Sequence, residues 1–460
     1  MSKKIIIIGG GIAGISSAVF CKELGFDVGL YEASPKLGGR AYSFYDKEQD
    51  LYFDNGQHIL AGWYENTLNF LKIIGSVSKL NFQNSLEVNF FDTLKNNFHL
   101  KIPDTKFFSS PTINIIRGIF SYNALSLKDK FSFLKLSSFI NKPCPETDHP
   151  VSDLFLKHKQ TERLVKYFWE PFLLAVFNAS PENISSVLLW NVLKTGFKDK
   201  NSSALLIPDV NLNELYIDNS ISYFNRNDVR YNLGIRVSEI EFNGNDCQSV
   251  SRIILENGEN VTADEYICAV PFYKIKELVD QDSFNTYFSE VEKLRSSSIT
   301  SVHLFFEDDI PEEVIKTENF GMTGLIGTKV QWVFKRSARH LSLVISGSDF
   351  IGSGQNTGVE NITEMNAISI VNLCIKELSL CFKGFERLKI KTHKVIKEKR
   401  ATFLPESGLN SVRIEGCGKF ENLSFAGDWT DTGLPSTLES AVKSSASISD
   451  HLKNKYQVLK

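Results

Sequence analysis

"IIIIGGGIAG", Ile5 to Gly14, is the stretch from which the rest of the chain is read. Four consecutive β-branched residues suit a strand buried on both faces of a parallel sheet. Gly9, Gly11 and Gly14 then spell GxGxxG, small and apolar residues continue to Leu24, Gly25 supplies a helix stop, and "DVGLYE", Asp27 to Glu32, reads as the next strand. Together they make a βαβ unit. In that setting the first glycine permits the tight turn, the second lets the backbone approach a pyrophosphate, and the third lets helix and strand pack closely. The helix start offers free amides and a partial positive charge to the same anion. Glu32, ending the second strand, can accept hydrogen bonds from ribose hydroxyls and would repel a 2′-phosphate, so the expected ligand is a dinucleotide other than NADP.

Working outward, 460 residues provide length for two or three domain-sized units, and 42% hydrophobic with 23% charged residues is an ordinary folded composition. A formal net charge of −3 with no long basic run provides no footprint for nucleic acid. The seven cysteines are scattered, with neither a disulfide framework nor a CxxC metal site, and read as buried free thiols of a reducing cytosol. Lys3-Lys4 and the apolar run after them imitate a secretory signal. Three successive glycines would break its helix, however, and Phe20 before Cys21 spoils a lipoprotein-type cleavage site. No other stretch holds ~18 uninterrupted apolar residues. The expected location is cytoplasmic, with any membrane contact peripheral, at the inner membrane face.

The middle of the chain, Leu68 to Leu206, is rich in phenylalanine and lysine and reads as a mostly helical insertion, with helical periodicity in "NALSLKDKFSFLKLSSFI" and "TERLVKYFWEPFLLAVFN". "VRYNLGIRVSEIEF", "VSRIILENGENV" and "ADEYICAVP" read as a β-meander ending at Pro271. "TSVHLFFE" and "KVQWVFKR" look like strands of a second sheet, and "VIKEKRATF" leads back toward a terminal strand, "NLSFAGDW".

NAD and FAD share the glycine fingerprint, and other stretches decide between them. After Glu32 comes "ASPKLGGRAYS", in which Gly38, Gly39 and Arg40 add a second flexible backbone and a fixed cation. With "AGDW" far downstream, the chain resembles the FAD-binding pattern of the flavin amine oxidase and phytoene desaturase superfamily. Within it, "FDNGQHILAGWYENT" (Phe53 to Thr67), "EKRATF" (Glu398 to Phe403) and "AGDWTDTGLPSTLESAV" look most like the hydroxysqualene dehydroxylase family.

The resemblance implies FAD as cofactor, with Gly9, Gly11 and Gly14 at the pyrophosphate, Glu32 at the adenosine ribose, and Gly38, Gly39 and Arg40 at the flavin side of the phosphates. It implies that Val237 meets the adenine through its backbone, that Gly427 and Asp428 meet the ribityl and phosphate region, and that a helix from about Ser436 points its N-terminus at the flavin. A helix start there would favour the negative charge of reduced flavin by roughly 0.3–2 kcal/mol. In the superfamily the segment Asp54 to His58 runs along the flavin ring, so Gly56 would allow close approach while Gln57 and His58 present polar groups. Two departures stand out. Ser34 replaces an arginine common two residues after the acid, and Ser440 replaces a glycine near the last helix, where it would crowd the cofactor.

The implied fold class is α/β, with a Rossmann-like FAD-binding domain assembled from residues 1–75, 205–275 and 395–460. A mixed-sheet and helical substrate domain takes residues 76–204 and 276–394. The implied reaction is reductive: an apolar C30 isoprenoid alcohol, hydroxysqualene, loses water as hydride arrives from reduced flavin, yielding squalene, with an external electron donor of open identity. Losing hydroxide from carbon requires an acid and tolerance of an allylic cation. Asp54, His58 and Asp431 are the candidate acids, His58 being equally readable as a structural histidine, and Trp63, Tyr64 and Trp332 are candidate aromatic faces. The competing readings are a desaturase of a long isoprenoid, an amine oxidase, and a flavin-binding membrane adaptor without turnover. For the last, Asn114 to Ile140 would supply an amphipathic face including Phe131 and Phe133, or else helices that roof the cavity.

Overall fold

The computed structural model describes residues 2–102, 111–244, 248–315, 321–349 and 361–458. A five-stranded parallel sheet is built from β1 (Lys4–Ile8), β2 (Asp27–Glu32), β10 (Arg230–Leu233), β14 (Glu265–Cys268) and β20 (Leu423–Phe425), in the order β10-β2-β1-β14-β20. All of Ile5 to Ile8 are at most 3% exposed, as a strand covered on both faces requires. The strand order reverses at β1, so the crevice for a ligand opens beyond its carboxyl end, where Gly9 stands.

The first helix, Ile12–Glu23, and the last, Leu438–Lys455, lie together against this sheet. Small residues allow the close approach: Ser445 Oγ donates to the carbonyl of Ala13 at 2.8 Å and meets Ser16 Oγ at 3.0 Å. The first and last helices are thereby joined against the parallel sheet.

The expected meander is divided. Only β11 (Val237–Phe242), β12 (Val250–Leu255) and β13 (Asn260–Val261) form an antiparallel sheet, whereas the flanking β10 and β14 pair in parallel with β2 and β1. Strand signals carry no information about the partner, and burial of β14 on both faces decides it.

The second large sheet has seven strands: β7 (Glu87–Asp92), β8 (Asn97–Lys101), β15 (Ser296–Phe306), β16 (Met322–Ile326), β17 (Trp332–Ser337), β18 (His340–Ser346) and β19 (Ile390–Phe403), ordered β19-β15-β18-β17-β16-β7-β8. The insertion is therefore less helical than expected. Its first part supplies β6 (Leu80–Phe82), β7 and β8, and helices take over from Pro111. β6 joins β5 (Leu60–Ala61) and β9 (Leu205–Pro208) in a small sheet, and β3 (Ser43–Asp46) pairs with β4 (Leu51–Asp54). Residue 395, the expected start of the last cofactor-side segment, falls inside β19.

The helices Pro111–Ser121 and Leu127–Ile140 cover the apolar face of the seven-stranded sheet. Phe133 is 3% exposed and stacked on Trp169, so it does not belong to an outer apolar face, whereas Leu127 and Phe131 are 68% and 58% exposed. No helix among the described residues is long and apolar enough to cross a membrane.

Candidate active site

The glycine turn after β1 is as tight as its sequence requires. Gly9 has φ +106°, and a Cβ there would stand 2.7 Å from the Ala269 carbonyl oxygen; one on Gly14 would stand 1.9 Å from the carbonyl oxygen of Gly9. A Cβ on Gly11 would meet nothing, which leaves the backbone open to the cavity. Gly11 caps the first helix without a side chain, so the amides of its first turn stay available to an anion. Glu32 is held at the mouth, its carboxylate accepting from Gly10 N at 2.5 Å and Ser34 N at 2.7 Å. Gly38 and Gly39, both at positive φ, fold over this turn, with Gly38 N donating to the Gly10 carbonyl at 2.8 Å.

Arg40 and Asp428 close the pocket from opposite ends of the chain, 2.5 Å apart. Arg40 also donates to the Ala401 carbonyl at 2.6 Å, and the second oxygen of Asp428 accepts from Ser436 Oγ. Burial alone would lower the Arg40 pKa, but the charge and hydrogen bond of Asp428 hold it above its ordinary value. Gly427 lines the same wall.

Three residues missed in the sequence support the site from behind its lining. Arg413, 4% exposed, donates to the carbonyls of Trp429 and Asp428, both at 3.2 Å, and of Thr430, and its guanidinium lies over the Phe403 ring. Burial pushes its pKa down to about 10. Glu439, in the first turn of the last helix, reaches to the helix Glu65–Ile73 and accepts from the backbone and side chains of Asn66 and Thr67. Burial pushes the Glu439 pKa up, against the pull of those donors. His303 is the third. Only a lone arginine in "SVRIEG" and an acid three residues after Ser436 hinted at the first two. Ser440, expected to crowd the cofactor, is instead fully buried and donates to the Asp428 carbonyl at 3.0 Å.

The segment after β4 divides the proposed acids. His58 lines the cavity along with Asn55, Gly56 and Gln57, but Asp54 does not. The Asp54 carboxylate turns inward to accept from Ser43 Oγ at 2.7 Å and Leu212 N at 3.1 Å, holding the segment to the chain beyond β9. Asp431 is exposed, outside the cavity, with its carboxylate accepting from Gly433 N at 3.2 Å. Neither aspartate is placed to protonate a ligand. Burial pushes the His58 pKa down to about 4, with Asp54 raising it and Arg40 lowering it, so the imidazole is neutral at neutral pH.

Beneath this segment His303 Nε2 lies 3.1 Å from the Asp54 carbonyl, and His303 Nδ1 lies 3.0 Å from His340 Nε2. A carbonyl only accepts, so His303 carries its proton on Nε2, and His340 donates to Nδ1. Burial pushes the two pKa values down to about 4 and about 3. The pair is a neutral prop on β15 and β18 for the Asp54–His58 segment.

Trp63, Tyr64 and Trp332 all line the cavity, which has a volume of about 1030 Å³. Val237 lines its other end, near Glu32, Arg236 and Glu256. The cavity thus has two characters. One end is a polar, glycine-lined cleft at the tip of the parallel sheet. The other is walled by residues such as Phe90, Ile119, Phe168, Phe172 and Phe334, with no Asp, Glu, Lys, Arg or His among the described lining residues of β7, β8, β16, β17 and the helices over them. No group of three or more potential metal ligands occurs among the described residues.

The cleft suits a dinucleotide pyrophosphate, and its opening directly onto an apolar chamber suits redox chemistry on a greasy substrate: the protein is an FAD-dependent oxidoreductase. It belongs to the flavin-containing amine oxidoreductase family, whose model matches residues 12–452. Its sequence is 24% identical over 449 residues to hydroxysqualene dehydroxylase of Zymomonas mobilis, covering 96% of this chain and 97% of the other. It is 23% identical over 475 residues to zeta-carotene desaturase of Synechocystis, covering 96% and 95%. In overall fold it is similar to an oxidoreductase from Methanosarcina mazei, with TM-score 0.72 at 16% identity, covering 97% and 100% of the two chains.

Proposed function

We propose that this oxidoreductase removes the hydroxyl group of hydroxysqualene, or a closely similar long isoprenoid alcohol, reductively and yields the hydrocarbon. The observation that carries this reading is the chamber whose described lining residues on β7, β8, β16, β17 and the helices over them include no Asp, Glu, Lys, Arg or His, continuous with the glycine-lined cleft at Gly56 to His58. Relatives named for hydroxysqualene and for carotenoid substrates support it. When bound and fully reduced, FAD would supply both the hydride and the proton that turn the alcohol into hydrocarbon and water.

The chain's own residues do the rest. The glycine turn and the first helix would hold the pyrophosphate, Glu32 the ribose, Arg40 with Asp428 the flavin side of the phosphates, and Val237 the adenine. The start of the last helix would face the flavin. Apolar walls exclude water and force the isoprenoid chain to lie along the chamber. Trp63, Tyr64 and Trp332 offer π faces to positive charge developing at carbon. With Asp54 and Asp431 turned away, His58 is the remaining member of the proposed acids at the junction, and it acts as a neutral N–H donor to the leaving oxygen.

A chain this apolar is drawn from a bilayer, and the exposed Leu127 and Phe131, beside Lys128 on the helices over the chamber, are the surface we assign to peripheral membrane contact. The likeness to zeta-carotene desaturase favours a second reading, in which the hydrocarbon is oxidised. Anaerobic incubation separates the two. Photoreduced protein mixed with hydroxysqualene should regain its oxidised flavin spectrum and release squalene by mass. A desaturase would leave the alcohol untouched and bleach its oxidised flavin on adding hydrocarbon.

A further inference from the structure

One spot in the apolar chamber is polar. Asn178 caps the helix Glu170–Phe177 in the left-handed conformation at φ 52°, and its side chain reaches the seven-stranded sheet. Its Nδ2 donates to Ser297 Oγ at 2.9 Å and to Thr402 Oγ1 at 3.0 Å, and its Oδ1 accepts from Gly347 N at 2.6 Å. Asn178 therefore ties β19, β15 and the end of β18 to one point, with Thr402 and Ser346 on the two strands that flank β15. Ser346 is opposite Ile299 in the β15–β18 pairing, and Thr402 opposite Ser297 in the β15–β19 pairing.

Both residues line the cavity. Thr402 Oγ1 accepts from Asn178, yet its own O–H has no acceptor among the described residues, and Ser346 Oγ has no partner there at all. Ser346 is only 4% exposed, so its hydroxyl faces the chamber rather than bulk water. Around them stand Ile299 and Val344, which carry no polar side-chain atom, and Trp332, whose buried indole Nε1 bonds neither hydroxyl. Two hydroxyls left open in an otherwise apolar wall are available to a polar group on a ligand.

The geometry points to Thr402 and Ser346 as a subsite for the hydroxyl group of a long-chain isoprenoid alcohol. Thr402 offers a donor to the alcohol oxygen, and Ser346, across β15 from it, offers a second hydroxyl to an alcohol held further along the same wall. A hydrocarbon of the same length leaves both hydroxyls dry, so the subsite selects alcohol over hydrocarbon and releases the chain once its oxygen is gone. This deepens the proposed function and rests on it for the nature of the apolar chain.

The test is equilibrium binding to the oxidised holoenzyme, by perturbation of the flavin spectrum, with hydroxysqualene and squalene as the two probes in the same detergent. Wild type should bind the alcohol at least about tenfold more tightly, and Thr402→Val and Ser346→Ala should each erase most of that preference while retaining full FAD content. Thr402→Ser should restore it, which a merely structural loss at this position would not allow. Absence of preference in wild type, or an unchanged ratio in both variants, overturns the subsite. A preference that responds to the variants without any turnover of hydroxysqualene leaves the subsite standing and sinks only the dehydroxylation.

Discussion

Glu439 and Thr67 lie 372 residues apart in the chain, and one carboxylate oxygen of Glu439 accepts from both the Thr67 amide at 2.9 Å and the Thr67 hydroxyl at 2.8 Å. The other oxygen takes the amide and side chain of Asn66, at 3.0 and 2.8 Å. The last helix thereby caps the helix Glu65–Ile73, which follows Trp63 and Tyr64 of the chamber wall. Glu439→Gln places an NH₂ group against donors that need an acceptor, so it should cost about 1–3 kcal/mol of stability and weaken FAD binding. Urea denaturation and an FAD titration of the purified variant check this; stability equal to wild type would remove the clasp.

Arg413 organises the loop beneath the cofactor cleft by donating to three successive carbonyls. Arg413→Met keeps bulk and removes every donor, leaving buried carbonyls unmet at about 1–3 kcal/mol each, partly offset because a desolvated cation is also removed. The expected result is a net loss of about 2 kcal/mol in the apoprotein and a reduced gain in Tm on adding FAD. A variant with wild-type Tm in both states would show that the loop orders itself without the guanidinium.

His303 and His340 are buried neutral, with pKa values pushed down to about 4 and about 3 from an ordinary 6.5. The unfolded chain binds their protons first as pH falls, so their contribution is complete above about pH 6.5 and is lost progressively toward pH 4. Each is worth on the order of 2–3 kcal/mol across that window. Urea denaturation at pH 7 and at pH 4.5 should show a steep acid loss in wild type and a shallower one in a His303→Gln/His340→Gln double variant. Equal slopes would refute the neutral prop.

Leu127→Ser/Phe131→Ser alters two exposed side chains and leaves the buried Phe133 in place. The variant should lose most flotation with anionic lipid vesicles while retaining its FAD. Equal flotation of variant and wild type would remove the membrane contact.

The glycine-lined half of this site was legible as structure because its signals are local. A β-branched run, a glycine turn and an acid at the next strand's end each follow from backbone and charge within about thirty residues. What could not be read was pairing at a distance. Asp54 carries the same side chain whether it faces a ligand or the amide of Leu212, and only the fold beyond β9 brings that amide to it. Arg413, Glu439 and His303 matter through carbonyls and amides that a sequence does not display. β10 and β14 looked like members of a meander because turn residues mark strand ends without naming the neighbour.

The most direct measurement is a titration of apoprotein with FAD, followed by flavin absorbance and Tm, in wild type and in Arg40→Met and Asp428→Asn variants. One FAD should bind per wild-type chain with a clear rise in Tm, and each variant should bind at least about tenfold more weakly, since each leaves the other member of the 2.5 Å pair unmatched. A folded wild-type chain that stays colourless and gains no Tm, or variants that bind FAD as tightly as wild type, would contradict a cofactor clasped by both ends of the chain.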